Sequence, residues 1–115
     1  MKKLDEPAME EVARYFGALA APARLKILNA LRDGERNVSE LTAAARCTQA
    51  NVSKHLAVLA QCGLVGKTSR GTSAYYRIAD PRIFRICDIV CGQIGRRYQR
   101  QAGRHRLFAA ASRSE

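Results

Sequence analysis

The segment from Thr48 to Gly63 constrains this chain more than any other. It reads as a short helix with one apolar stripe and one small, polar face, and a hairpin follows at once. Thr48 suits an N-cap, and at about 100° per residue Val52, Leu56 and Leu59 fall together while Ala50, Ser53, Lys54, Ala57 and Gln61 point the other way. Gly63 stands where a helix C-terminus favours a left-handed residue. Upstream, Asn37 to Ala45 reads as a shorter helix: Asn37 and Glu40 have capping-box spacing, and Val38, Leu41 and Ala45 are its apolar positions. Only Arg46-Cys47 separates the two, which predicts a helix-turn-helix. Leu64–Ser69 and Ala74–Ile78 then read as two strands around Arg70-Gly71-Thr72-Ser73.

A helix entering a major groove needs short side chains for close approach and a few donors and acceptors for base edges and phosphates. Thr48, Gln49, Ala50, Asn51, Ser53 and Lys54 offer that combination, and the hairpin adds Lys67, Arg70, Thr72, Ser73 and Tyr75. His55 stands beside the apolar stripe, a candidate for packing or for a DNA contact. Tyr75 and Tyr76 alternate across one strand; Tyr76, in phase with Ile78, is expected to face the core and Tyr75 solvent or phosphate.

Charge agrees with a polyanionic partner. The 115 residues carry 20 Lys plus Arg against 10 Asp plus Glu, a net +10. From Lys67 to Arg113 there are eleven basic side chains and two acidic ones, Asp80 and Asp88, so the hairpin and the C-terminal segment hold most of the excess. The opening Met-Lys-Lys-Leu-Asp-Glu lacks the apolar run of a secretory signal and no stretch approaches membrane-spanning length, which implies a cytoplasmic protein with no membrane partner. Four cysteines in such a chain are expected to be thiols, ligands or core residues rather than disulfides.

Punctuation along the chain completes the organisation. Asp5 and Pro7 suit a helix start, with Met9, Val12, Phe16 and Leu19 at helical spacing; Pro22 opens a second helix, with Leu25, Leu28 and Leu31 as its stripe, ending at Asp33-Gly34. Arg14, Arg24 and Lys26 are expected to solubilise these helices. Asp80-Pro81 opens a last helix with Ile83, Cys87, Val90 and Ile94 on one face. In a domain this small, Met9, Val12 and Phe16 together with Ile83, Cys87, Val90 and Ile94 are expected to pack against a second copy across a two-fold axis. Residues 1–98 then form one DNA-binding and dimerisation domain, and 99–115 a basic, flexible tail in which His105 is solvated.

In order and in residues the chain resembles the ArsR/SmtB family of winged-helix repressors over roughly residues 8–95. Ala21-Pro-Ala-Arg-Leu-Lys-Ile-Leu28 is similar to its helix-opening motif, Val38-Ser-Glu-Leu41 to the next helix and Gln49-Ala-Asn-Val-Ser-Lys-His-Leu56 to its recognition helix. Leu59-Ala-Gln-Cys-Gly-Leu-Val65 and Tyr76-Arg-Ile78 continue the match. The resemblance implies a mainly α, homodimeric winged helix-turn-helix of about five helices with a two-stranded wing, acting as a repressor on a pseudo-palindromic operator in double-stranded DNA.

Departures from the family pattern bear on the effector. The arsenic-type Cys-x-Cys cluster would lie within residues 37–41, which hold no thiol, and the positions matching the zinc-type site are Asp80, Arg82, Gln93 and Arg96, where only the aspartate is a ligand. Thiols in the last helix of some relatives detect arsenite, mercury, oxidants or reactive sulfur. Cys87 and Cys91, four apart on one helix, are compatible with that and could share a soft ion, with Cys47 as a further candidate and Cys62 last. The effector implied is an arsenite-type or mercury ion, an oxidant or a reactive sulfur species, and no obligatory cofactor is expected. Against this stand a thiol oxidoreductase, which would need a Cys-x-x-Cys the chain lacks, and a constitutive winged-helix nucleic-acid-binding protein in which every cysteine merely packs.

Overall fold

Every helix of the first 79 residues begins where a side chain or a proline relieves its first turn, in the computed structural model that describes residues 2–100. Helix α1 (Glu6–Ala18) starts at Asp5, whose carboxylate accepts the Ala8 N–H at 3.0 Å. Helix α2 (Pro22–Ala30) places Pro22 in its first turn, where a missing N–H costs nothing, and a 3₁₀ turn over Leu31–Asp33 extends it. Helix α3 (Val38–Ala45) carries the expected capping box: Glu40 N–H donates to Asn37 Oδ1 at 2.9 Å and Asn37 N–H to Glu40 Oε1 at 3.0 Å. Helix α4 (Gln49–Gln61) starts at Thr48, whose hydroxyl accepts Asn51 N–H at 3.2 Å. Such caps contribute about 1 kcal/mol each. The turn between α3 and α4 passes through Arg46 in the left-handed region at φ 54°, a conformation the sequence did not flag.

The hairpin is present as β2 (Val65–Arg70) and β3 (Ser73–Ile78). Its two-residue loop puts Gly71, at φ 61°, in the first central position, where a type II′ turn needs a positive φ. Beyond the expected pair, a two-residue strand β1 (Arg36–Asn37) pairs antiparallel with β3, giving the order β1-β3-β2. Val65 lies opposite Ile78 and Lys67 opposite Tyr76, so these share one face; Gly66 opposite Arg77, Thr68 opposite Tyr75 and Arg70 opposite Ser73 share the other. Tyr76 is thus in phase with buried Val65, as expected, although both tyrosines are half-buried.

Backbone packing divides the chain into Met1–Ala79 and Asp80–Glu115. In the first unit α2 packs on α3 and α4, and α3 on α4. The core is Ile27, Leu28, Leu31, Leu41, Val52, Leu56 and Leu59, all buried, and each such side chain contributes about 1.5–3 kcal/mol. Leu25, expected in that core, is 44% exposed, and Ile27 takes its place. The reason is angular: 24, 27, 28 and 31 lie within about 100° of arc on a helix, whereas 25 falls roughly 110° from their centre.

In the second unit the described residues form helix α5 (Ile83–Gln99) and the turn before it. It begins two residues beyond the expected proline, because residues 81–82 form a turn in which Ile83 N–H donates to Asp80 O and Phe84 N–H to Pro81 O. The helix runs through Gln99; the basic tail expected beyond it lies, from residue 101, outside the described residues.

Candidate nucleic-acid interface

Helix α4 is amphipathic in a way that leaves one face for a partner. Its stripe of Val52, Leu56 and Leu59 is buried, while Thr48, Gln49, Ala50, Asn51, Ser53 and Lys54 are all exposed. The start of α4 borders a groove of about 260 Å³ shared with the start of α3 and the tip of the hairpin. That groove brings Gln49 together with Thr72 and Ser73, and adds Asn37 and Ser39, which sequence reasoning did not include. A serine in the first turn of the helix preceding α4 was the available signal.

His55 departs from its exposed neighbours. It is half-buried, and its Nδ1 lies 3.3 Å from Arg24 Nη1; an arginine can only donate, so Nδ1 is the acceptor. Arg24 also donates from Nε to Ala18 O at 2.7 Å, so it is a tether between helices rather than a solubilising charge.

The hairpin presents its basic groups on two faces. Lys67 is exposed on the Tyr76 face. Arg70, on the opposite face, lies over the Tyr75 ring with its guanidinium carbon 4.8 Å from the centroid and forms an ion pair with Glu35. Tyr75 therefore supports Arg70 rather than standing free. Arg77, unremarked in the sequence, donates to Thr68 Oγ1 at 2.8 Å and lies across Gly66, where a Cβ would stand 2.8 Å from its guanidinium carbon. Glycine at 66 is what lets Arg77 cross the ladder.

In α5, Cys87 and Cys91 are half-buried and take part in no disulfide. Cys47 Sγ donates to Ala45 O at 3.4 Å and Cys62 Sγ to Arg14 O at 3.9 Å. Among the described residues, no three of His, Cys, Asp and Glu come together as a metal cluster. At the head of the helix Asp80 accepts from Arg82 side chain and backbone, and these bonds hold its carboxyl below the usual carboxylate range.

The expected dimer residues separate into two groups. Met9 and Phe16 on α1 are exposed, and Val12 is half-buried. On α5, Val90 is 48% exposed and Ile94 half-buried, but Ile83 is only 2% exposed and so is already withdrawn within the chain. Ile89, not anticipated, is 61% exposed; it lies one residue off the stripe drawn from sequence, which is why the periodicity passed it over. Among the described residues no helix is long and apolar enough to cross a membrane.

A model of the bacterial regulatory protein arsR family matches residues 21–67. The chain is 40% identical over 74 residues to a probable mercury resistance operon repressor of Streptomyces lividans, covering 64% of this chain and 59% of that one. It is 39% identical over 85 residues to the transcriptional regulator NmtR of Mycobacterium tuberculosis, covering 74% of this chain and 71% of that one. In three dimensions it is similar to the homodimeric winged helix-turn-helix DNA-binding domain Mb0332 of Mycobacterium bovis, with a TM-score of 0.69, 31% identity, and coverage of 91% of this chain and 98% of that one. Among the described residues, five α-helices and an antiparallel sheet make up a winged helix-turn-helix. The chain spans about three fifths of the Streptomyces repressor's length.

Proposed function

The chain belongs to the arsR family of bacterial regulatory proteins, and on that premise we propose that it is a sequence-specific transcriptional repressor. It binds a pseudo-palindromic operator as a homodimer and releases it when Cys87 and Cys91 react or bind a soft ion. The observation that carries the DNA reading is the division of α4: an apolar stripe wholly buried, and an outward face exposed from Thr48 to Lys54 beside the groove at the hairpin tip. Gln49 and Ser53 supply donors and acceptors for base edges, Ala50 permits close approach, and Lys54 and Lys67 meet phosphates. Arg70 joins them by exchanging the Glu35 carboxylate for a phosphate oxygen.

Met9, Phe16, Ile89 and Val90 are the exposed apolar side chains that a second copy would cover, and the homodimeric Mycobacterium bovis domain supports that assembly. A dimer fixes the spacing of two recognition helices, so half-sites lie about 10 base pairs apart, centre to centre, or a multiple of that.

The thiol control rests on the donor set of α5. Two half-buried cysteines four residues apart are soft ligands, and since no third His, Cys, Asp or Glu joins them in a cluster among the described residues, the remainder of a coordination shell comes from the second copy or from the ion's own ligands. Coordination holds both sulfurs as thiolates and places a cation in the helix face that carries them. A coupling of about 1–3 kcal/mol between that change and the dimer spacing gives 5- to 150-fold release. A mercury-type ion is supported by the similarity to the mercury operon repressor.

The test uses the duplex that the parent protein enriches from a random-sequence library. Fluorescence anisotropy with arsenite, mercury(II), peroxide and polysulfide identifies the effector, and Cys87→Ser and Cys91→Ser keep DNA binding but lose release. A double variant that still releases makes these thiols packing groups and returns the question to Cys47 and Cys62. A parent that no effector releases is a constitutive DNA-binding protein.

A further inference from the structure

Helix α1 ends without a basic side chain in its last turn, yet its terminal carbonyls carry the negative end of the helix dipole and need donors. Arg24 supplies them from the next helix. One edge of its guanidinium grips α1, Nε donating to Ala18 O at 2.7 Å and Nη2 to Gly17 O at 3.3 Å. The remaining nitrogen, Nη1, reaches His55 Nδ1 on α4 at 3.3 Å, 31 residues away in sequence. Arg24 can span these groups because it occupies the middle of the inward arc of α2 defined by Ile27, Leu28 and Leu31, and it is itself half-buried there. A lysine at that position offers a single point of charge, whereas the planar fork serves both edges at once.

Among the described residues the most closely packed helix pairs of this unit are α2 on α3, α3 on α4 and α2 on α4, while α1 meets α4 through Arg24 at His55 and through Cys62 Sγ donating to Arg14 O at 3.9 Å. Its link to the recognition helix therefore depends on side chains more than on helix packing. From this we infer that Arg24 is a positioning residue for DNA recognition: it fixes the recognition helix α4, through His55, to the C-terminal end of α1. The inference rests on the reading of α4 as the DNA-reading helix. In a dimer formed through α1, the link transmits the attitude of α1 to the face that carries Gln49 and Ser53. Arg24 touches no base. Its loss tilts that face and degrades discrimination between sequences, while non-specific attraction, which depends on charge at Lys54, Lys67 and Arg70, is preserved.

The experiment measures, on the full chain, the ratio of Kd for a random duplex to Kd for the duplex selected by the parent protein. Arg24→Gln and Arg24→Lys are each expected to lower that ratio about tenfold, with affinity for the random duplex changed less than about twofold. Two substitutions of His55 separate a tether from a base contact. The amide oxygen of asparagine stands near the place of Nδ1 and that of glutamine near Nε2, so His55→Gln is expected to lose more discrimination than His55→Asn. The ¹⁵N shifts of His55 in the free parent should show the proton on Nε2 and Nδ1 as acceptor, and Arg24→Gln should disturb them. If both Arg24 variants lower the melting temperature but keep the ratio within about twofold, Arg24 only stabilises the fold and the inference is wrong. The inference also fails if His55→Asn loses more than His55→Gln, since His55 then reads DNA through Nε2. A parent that enriches no common sequence overturns the DNA reading itself, and this inference with it.

Discussion

Helices α4 and α5 are both amphipathic, and the difference between them lies in where each apolar face is covered. In α4 the apolar stripe is finished within the chain: Val52, Leu56 and Leu59 are buried and the opposite face is small and polar. In α5 apolar side chains are left outside, with Ile89 and Val90 exposed, and two thiols lie along the same helix. A completed core with a polar face outward suits a hydrated polyanion. An incomplete apolar face suits a surface that excludes water, and a second copy is the economical one.

The comparison is broken most severely through the core of α4. Leu56→Ala is expected to cost about 2–5 kcal/mol in urea unfolding, because neighbours on α2 and α3 close only partly around the lost volume. Val90→Ser should cost the fold less than about 1 kcal/mol but loosen self-association in sedimentation equilibrium. Comparable unfolding losses from the two substitutions would mean that α5 is completed within its own chain.

Next in size is the wing. Arg70→Ala should weaken binding to every sequence and reduce the slope of log K against log salt by about 0.9, the signature of one lost phosphate contact. An unchanged slope would remove Arg70 from the interface. Glu35→Gln acts in the opposite direction: it frees Arg70 from an exposed ion pair worth about 0–1 kcal/mol and should tighten DNA binding by a few-fold at low salt.

The smallest effect belongs to the head of α5. The side-chain bond from Arg82, and then its backbone bond, hold the Asp80 carboxyl below its ordinary 3.8. A depressed carboxylate stabilises the native state fully above its unfolded pKa, and that contribution disappears as the pH falls through the native value. Asp80→Asn should therefore flatten only the most acid limb of a stability–pH curve, leaving the curve above about pH 5 parallel to the parent's.

What the sequence made legible was local. The caps at Asp5, Asn37 and Thr48 and the left-handed Gly63 follow from chemistry within three or four residues, and all four occur. The α4 stripe is equally local, since three apolar residues at helical spacing define one face whatever it meets. What remained hidden depended on distant partners. Arg24 looked like a surface charge until Gly17, Ala18 and His55 converged on it, and Arg70 looked like a free phosphate ligand until Glu35, 35 residues earlier, closed on it. Leu25 and Ile27 exchanged places because α2 meets two helices at once, so its buried arc is centred on neither leucine spacing alone. Strand β1 escaped notice because two residues carry no periodicity; only β3 beside it makes it a strand.

The central claim, that the outward face of α4 reads sequence while the wing supplies charge, is tested most directly by an anisotropy titration of one duplex pair. The pair is the duplex selected by the parent and a random duplex of equal length, titrated with the parent, Gln49→Ala and Ser53→Ala. Each substitution should cost about 1–3 kcal/mol on the selected duplex and leave the random duplex within about twofold of the parent, so that discrimination falls while the salt slope is preserved. Equal losses on both duplexes would contradict the claim, as they would reduce Gln49 and Ser53 to backbone contacts and move sequence reading elsewhere on the chain.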